Sequence, residues 1–193
     1  MSHRNQTSRV AFISGPIEQP DDYFALHYEP LILEAIAAGH SFVVGPAPGT
    51  DTIALQYLIK HVADPSSITV YMAKFQAEGS LAEEVEYYQR LGANVKVEGV
   101  TTGDRDAAMT RDSDYDILRY MPVQEQKVFF GDTYYPRVSA TEKNERRRRG
   151  LPLHINHELV DIHWQNRQNL SASVKPSLSI RFRNWTTGKS ALP

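Results

Sequence analysis

The sequence predicts an α/β fold in which about five strands form a parallel sheet covered by helices on both faces. Short runs rich in β-branched and aromatic residues alternate with stretches of helical periodicity. Most of these runs end in turns bearing glycine or proline. A chain of 193 residues, 41% of them hydrophobic, is long enough to enclose one ordinary core.

Val10 to Ser14 is a compact apolar run stopped by Gly15-Pro16, the pattern of a buried first strand. From Asp22 to Ala38, Phe24, Tyr28, Leu31, Ile32, Ala35 and Ile36 recur at helical spacing, Pro30 is expected to kink or divide the helix, and Gly39 suits its end. Phe42 to Gly45 reads as strand two, with Thr50 or Asp51 capping a helix that carries Ile53, Ala54, Tyr57, Leu58 and Val62. Ile68 to Met72 is strand three. Ser80 and Glu83 have capping-box spacing and predict a helix running to Gly92. Val95 to Glu98 is strand four, Gly103-Asp104 opens a helix through Ala107, Ala108 and Met109, and Tyr115 to Met121 is strand five. Residues 122 to 138 show no clear periodicity and read as an ordered excursion or lid. Ser139 to Thr141 caps a last helix reaching the arginines.

The near-neutral total hides an asymmetry. Residues 1 to 144 hold 12 Lys and Arg against 20 Asp and Glu, a net of −8, and residues 145 to 193 hold 9 against 3, a net of +6. Residues 1 to 150 are therefore expected to form the folded domain. Residues 151 to 193 are read as a basic extension, either partly ordered, with Leu159, Ile162, Trp164, Ile180, Phe182 and Trp185 as scattered apolar anchors and residues 165 to 193 as a mobile terminus, or an arm that docks on an acidic surface of its own or a partner chain. Arg146 to Arg149 lacks interleaved aromatics, which argues against a nucleic-acid site. The chain has no cysteine, so disulfides, thiolate metal sites and cysteine nucleophiles are excluded. The start, Met1 to Thr7, is polar, and no run approaches membrane-spanning length. A soluble cytoplasmic protein without membrane partners, cofactor or metal is expected. Asp112, Asp114 and Asp116 alternate, but the later Gly and Glu of a calcium loop do not follow, and a polar turn before strand five explains them.

The most informative segment is Gly45-Pro46-Ala47-Pro48-Gly49-Thr50-Asp51, set between a strand and a helix. Glycines permit a tight turn, and unpaired amides at a helix start favour an anion. The alternative is a plain turn in which Asp51 only caps the helix. The lysine of a Walker loop is missing. Ser14-Gly15-Pro16 ends the neighbouring strand, where Gly15 permits close approach of a nucleoside or phosphate. Arg105 offers paired donors to a phosphate or carboxylate, or pairs with a neighbouring Asp. The start at Ser139, Ala140 and Thr141 adds hydroxyls and amides to the same rim.

With these segments assembled, residues 10 to 149 resemble the SLOG superfamily, the Rossmann-like group that includes the cytokinin-activating LOG phosphoribohydrolases and DprA. The resemblance is carried by Ile13-Ser14-Gly15-Pro16, by Gly45 to Asp51 followed by Ala54, and by Arg105-Asp106-x-x-Met109 ahead of Asp114. It implies a Rossmann-like, doubly wound sheet and a nucleoside monophosphate ligand whose N-glycosidic bond an arginine and a glutamate help to cleave. Arg105 looks like that arginine. The family's Pro-Gly-Gly-x-Gly-Thr-x-x-Glu segment is represented by Ala140-Thr141-Glu142-Lys143-Asn144, which keeps the threonine, lacks the glycines and places Asn144 at the glutamate's position. Nucleoside deoxyribosyltransferases have a similar strand-one ending and use a glutamate nucleophile, for which Glu83 and Glu84 are available. Those two also read as an acidic first helical turn that suits the helix dipole.

The expected ligand is thus a nucleotide or nucleoside-type small molecule. Ser14, Gly15, Pro16, Gly45, Ala47, Gly49, Thr50, Asp51, Arg105, Met109, Thr141 and Asn144 are the expected binding residues. For hydrolysis, Arg105 would neutralise the phosphate or leaving group, and Glu142 or Asp51 would orient water. The competing expectation is a non-enzymatic ligand sensor, favoured by Asn144. Homodimerisation is expected from the charge-split body and extension and from the habit of the SLOG group.

Overall fold

A computed structural model describes residues 8–155. The extension's apolar anchors from Leu159 to Trp185, and the expectations attached to them, lie outside these residues. The described chain is built from β1 (Val10–Ser14), α1 (Tyr23–His27), α2 (Glu29–Ala37), β2 (Ser41–Val44), α3 (Thr50–His61), β3 (Ile68–Met72), α4 (Ala82–Arg90), β4 (Asn94–Val97), α5 (Thr102–Arg111), β5 (Tyr115–Leu118), α6 (Val123–Phe130) and α7 (Ala140–Arg148).

All five strands are parallel, in the order β4-β3-β2-β1-β5. Successive strands march outward from β1 to β4, and the chain then returns so that β5 pairs with the other side of β1, Ala11 opposite Tyr115. That reversal places helices on both faces, because parallel crossovers share one hand. On one face Ala11, Ile13, Val44, Val70 and Met72 pack with Tyr23, Tyr28, Ile32, Leu55 and Leu58 of α1 to α3. On the other, Phe12, Val43 and Tyr71 pack with Ala108 and Met109 of α5. Strands buried on both sides explain why β1 to β3 read as continuous apolar runs. Each fully buried large side chain contributes about 1.5–3 kcal/mol.

Several element boundaries differ from the sequence expectation. The helix predicted over Asp22 to Ala38 divides at Tyr28, and Pro30 sits in the first turn of α2, where its missing N–H costs nothing. Tyr28 is fully buried, and its hydroxyl lies 3.0 Å from the Ser14 carbonyl and 2.9 Å from that of Arg119, tying the ends of β1 and β5 together. Ser80 does not cap α4. It closes a single π-helical turn, Gln76–Ser80, in which Gly79 leaves helical geometry, and Leu81 precedes α4 without a side-chain cap. The capping box belongs to α5, where Thr101 and Asp104 satisfy each other's backbone amides. β5 stops at Leu118 rather than Met121, since Arg119 N–H turns away to the Tyr28 hydroxyl.

α7 is pinned to the sheet by Arg148. Its guanidinium meets the Asp116 carboxylate at 2.8 Å and donates to the carbonyls of Thr110 and Ser113 at 2.8 and 2.7 Å. Arg148→Ala is expected to lower stability by about 2–3 kcal/mol in a urea titration, because these acceptors lose charged donors. An unchanged midpoint would show that the pin is dispensable.

Candidate functional site

The chain leaving β1 turns toward β2, whereas the chain leaving β5 continues into α6, so the sheet's order reverses between these two strands. Open α/β sheets bind ligands in the crevice such a reversal leaves at the strands' carboxyl ends. A cavity of about 370 Å³ lies there. The end of β1 supplies Gly15, Pro16, Ile17 and Glu18, and the end of β5 supplies Tyr120 and Met121. Gln126 and Phe130 come from α6, Tyr135, Arg137 and Val138 from the segment after it, and Ser139, Ala140 and Thr141 from the start of α7.

The α7 start is built as a helix entry facing this space. Ser139 Oγ accepts from the Glu142 amide at 3.0 Å, and the first main-chain helical bond is Lys143 N–H to the Ser139 carbonyl. The amides of Ala140 and Thr141 therefore precede the hydrogen-bonded ladder, where helix amides favour an anion. Arg137 stands beside them with its guanidinium 4.4 Å from the Tyr135 ring centre and 5.7 Å from that of Phe130, and it makes no ion pair among the described residues. Tyr120 donates to Glu145 at 3.0 Å, and burial together with that bond pushes its phenol up to about 12.

Beside the cavity lies a buried polar cluster. Arg105, 5% exposed, donates through Nε and Nη2 to Asp106 Oδ1 at 3.0 and 2.7 Å and through Nη1 to Gln76 Oε1 at 3.1 Å. A Cβ at Gly45 would stand 3.2 Å from both Arg105 Cζ and Asp51 Oδ2, so the bare glycine lets these two groups approach each other. Asp51 Oδ1 accepts from the Gly15 amide at 3.3 Å. Burial pushes the Asp51 carboxyl up to about 8, with Arg105 and the Gly15 amide opposing and the Asp106 charge adding to the rise.

The Gly45 to Asp51 turn is covered by the chain itself. Thr50 N–H donates to the Pro16 carbonyl at 3.1 Å, and its hydroxyl lies 2.6 Å from Gln19 Oε1. Gly49 has φ +80°, and a Cβ there would run into the Ile17 carbonyl, so only glycine fits under this loop. Ala47 accepts from the Thr52 amide and hydroxyl.

The predicted residues therefore separate. Gly15, Pro16 and Thr141 line the cavity. Ser14 and Asn144 are joined at 3.0 Å, with Arg147 donating to Asn144 Oδ1 at 2.7 Å. Gly45, Asp51 and Arg105 form the buried cluster, Ala47, Gly49 and Thr50 close the turn, and Met109 sits in the core. Glu142, 2% exposed, is held by Arg146 at 3.0 and 2.9 Å. Glu83 is exposed on α4, and neither it nor Glu84 lines the cavity. Glu18, Tyr120, Gln126, Phe130 and Arg137 were not foreseen; the aromatic density of residues 122 to 138 was the only signal for the last three, and Glu18 and Tyr120 had none.

No family model, curated protein or solved structure matches the chain. The architecture by itself defines a Rossmann-like α/β protein. Among the described residues, no helix is long and apolar enough to cross a membrane.

Proposed function

We propose that this protein binds a nucleoside monophosphate, or a ligand of the same chemistry, in the crevice between β1 and β5. The observation that carries the reading is the meeting, in one cavity, of a helix start, an arginine that makes no ion pair among the described residues and an aromatic wall. The phosphate would sit on the amides of Ala140 and Thr141 beside Arg137. The base would pack against Phe130 and Tyr135, and Glu18 would accept from sugar hydroxyls. The likeness to the SLOG group in Ser14-Gly15-Pro16 and Thr141 supports the same ligand class.

Binding without turnover is favoured over hydrolysis of the N-glycosidic bond. Arg105 is engaged by Asp106 and Gln76, Glu142 by Arg146, and Asp51 lies behind Gly15. These are the groups that hydrolysis would need at the ligand. Titration with a panel of nucleoside monophosphates, followed by chromatography for free base, tests both readings. Saturable binding with no base released is expected. Base release would replace the sensor reading with the hydrolase, and absence of binding across the panel would remove both. Arg137→Ala is expected to weaken binding by about 10- to 100-fold through the loss of one charged hydrogen bond.

A further inference from the structure

The walls of the cavity between β1 and β5 differ in hydrogen-bonding sense. The start of α7 and the segment before it offer donors: the Ala140 and Thr141 amides, which precede the helical ladder, and the Arg137 guanidinium. The wall supplied by the ends of β1 and β5 and by α6 offers acceptors instead. Glu18 brings a carboxylate with no partner among the described residues. Tyr120 has its hydroxyl hydrogen committed to Glu145 Oε2 at 3.0 Å, and burial together with that bond keeps the proton in place up to about 12. Its phenol oxygen therefore has only lone pairs left for a ligand.

Gln126 is the most specific acceptor of this wall. Its Nε2 donates to the Met121 carbonyl at 2.7 Å, and because a carbonyl can only accept, that contact fixes which end of the amide is which. Oε1 is left as an acceptor with no partner among the described residues. Gln126 and Phe130 stand four residues apart on α6, share one helix face and both line the cavity. A base packed on the Phe130 ring therefore has an edge beside the Gln126 amide. We propose that Gln126 is a specificity-determining residue, whose Oε1 accepts from an exocyclic amino group and so selects a nucleoside monophosphate with an amino-bearing base over the same nucleotide without that group. The inference rests on the nucleotide reading and deepens it. With the phosphate on the α7 donors, Glu18 takes the sugar hydroxyls and Gln126 takes the amino group, so that the acceptors of this wall meet donors of the ligand. A base without the amino group would bury Oε1 unpaired, which costs about tenfold in affinity.

Calorimetric titration of the full chain with adenosine monophosphate and with purine ribonucleoside monophosphate, which differs only in lacking the amino group, tests it. The wild-type chain is expected to bind adenosine monophosphate about tenfold more tightly. Gln126→Leu is expected to bring the two affinities within about twofold of each other, whereas a merely structural effect of the substitution would weaken both nucleotides alike and leave their ratio intact. Equal affinities in the wild-type chain would overturn the role of Gln126 and leave the nucleotide reading standing. A preference that persists in Gln126→Leu would overturn it too, because another group would then be reading the amino group. Failure of both nucleotides to bind would remove the nucleotide reading and this inference with it. The wild-type comparison decides even where the variant does not fold.

Discussion

Replacing Arg105 with methionine is expected to destabilise the protein by about 3–5 kcal/mol, the usual cost of removing one partner from a buried ion pair. The guanidinium is 5% exposed, and three of its nitrogens hold Asp106 and Gln76. Without it Asp106 is left as a buried anion, and Asp51 loses the positive charge that opposes its burial. Gln76 Oε1 keeps the Ala73 amide at 3.0 Å, so the turn before α4 should remain while the strand ends loosen. Adding Asp106→Leu to Arg105→Met should recover most of the loss, because apolar replacement of both partners removes the uncompensated charge. Urea unfolding of the two variants checks this. A loss below about 1 kcal/mol in the single variant would mean that water reaches the cluster.

Asp51→Asn is expected to change how stability depends on pH. The folded carboxyl holds its proton up to about pH 8, whereas its ordinary value is 3.8. A raised folded value means that this group's stabilising contribution is complete below the ordinary value and is lost as pH climbs through the folded one. Wild type should therefore lose stability relative to Asp51→Asn between about pH 4 and pH 8, by at most about 1.4 kcal/mol per pH unit. Above that window the difference should level off. Asparagine retains an oxygen for the Gly15 amide, so the loop contact survives. Parallel stability curves from pH 4 to 9 would show that Asp51 is ionised throughout.

The sheet was legible because its strands are buried on both faces and read as unbroken apolar runs, Val10 to Ser14 above all. The convergence of the β1, β2 and α5 segments was also legible, since parallel strands place their carboxyl ends on one rim. What each segment does there was not. Thr50 looks identical in sequence whether its amide awaits a phosphate or donates to the Pro16 carbonyl, a partner 34 residues away. Arg105 likewise has the same neighbours in sequence whether it faces a ligand or bonds Asp106 and Gln76. The cavity's outer wall was hidden for another reason. α6 is an eight-residue helix opening after Pro122, too short to impose a clear period on Val123 to Phe130. Arg137 follows it in a segment whose position only the fold determines.

The most direct test of the binding reading is a crystal structure with adenosine monophosphate soaked in. The phosphate is expected within hydrogen-bond distance of the Ala140 and Thr141 amides and the Arg137 guanidinium, with the base against Phe130 and Tyr135. A nucleotide seated instead on the Gly45 to Asp51 turn, with the Thr50 amide released from Pro16, would contradict the assignment of the site to the β1 and β5 crevice.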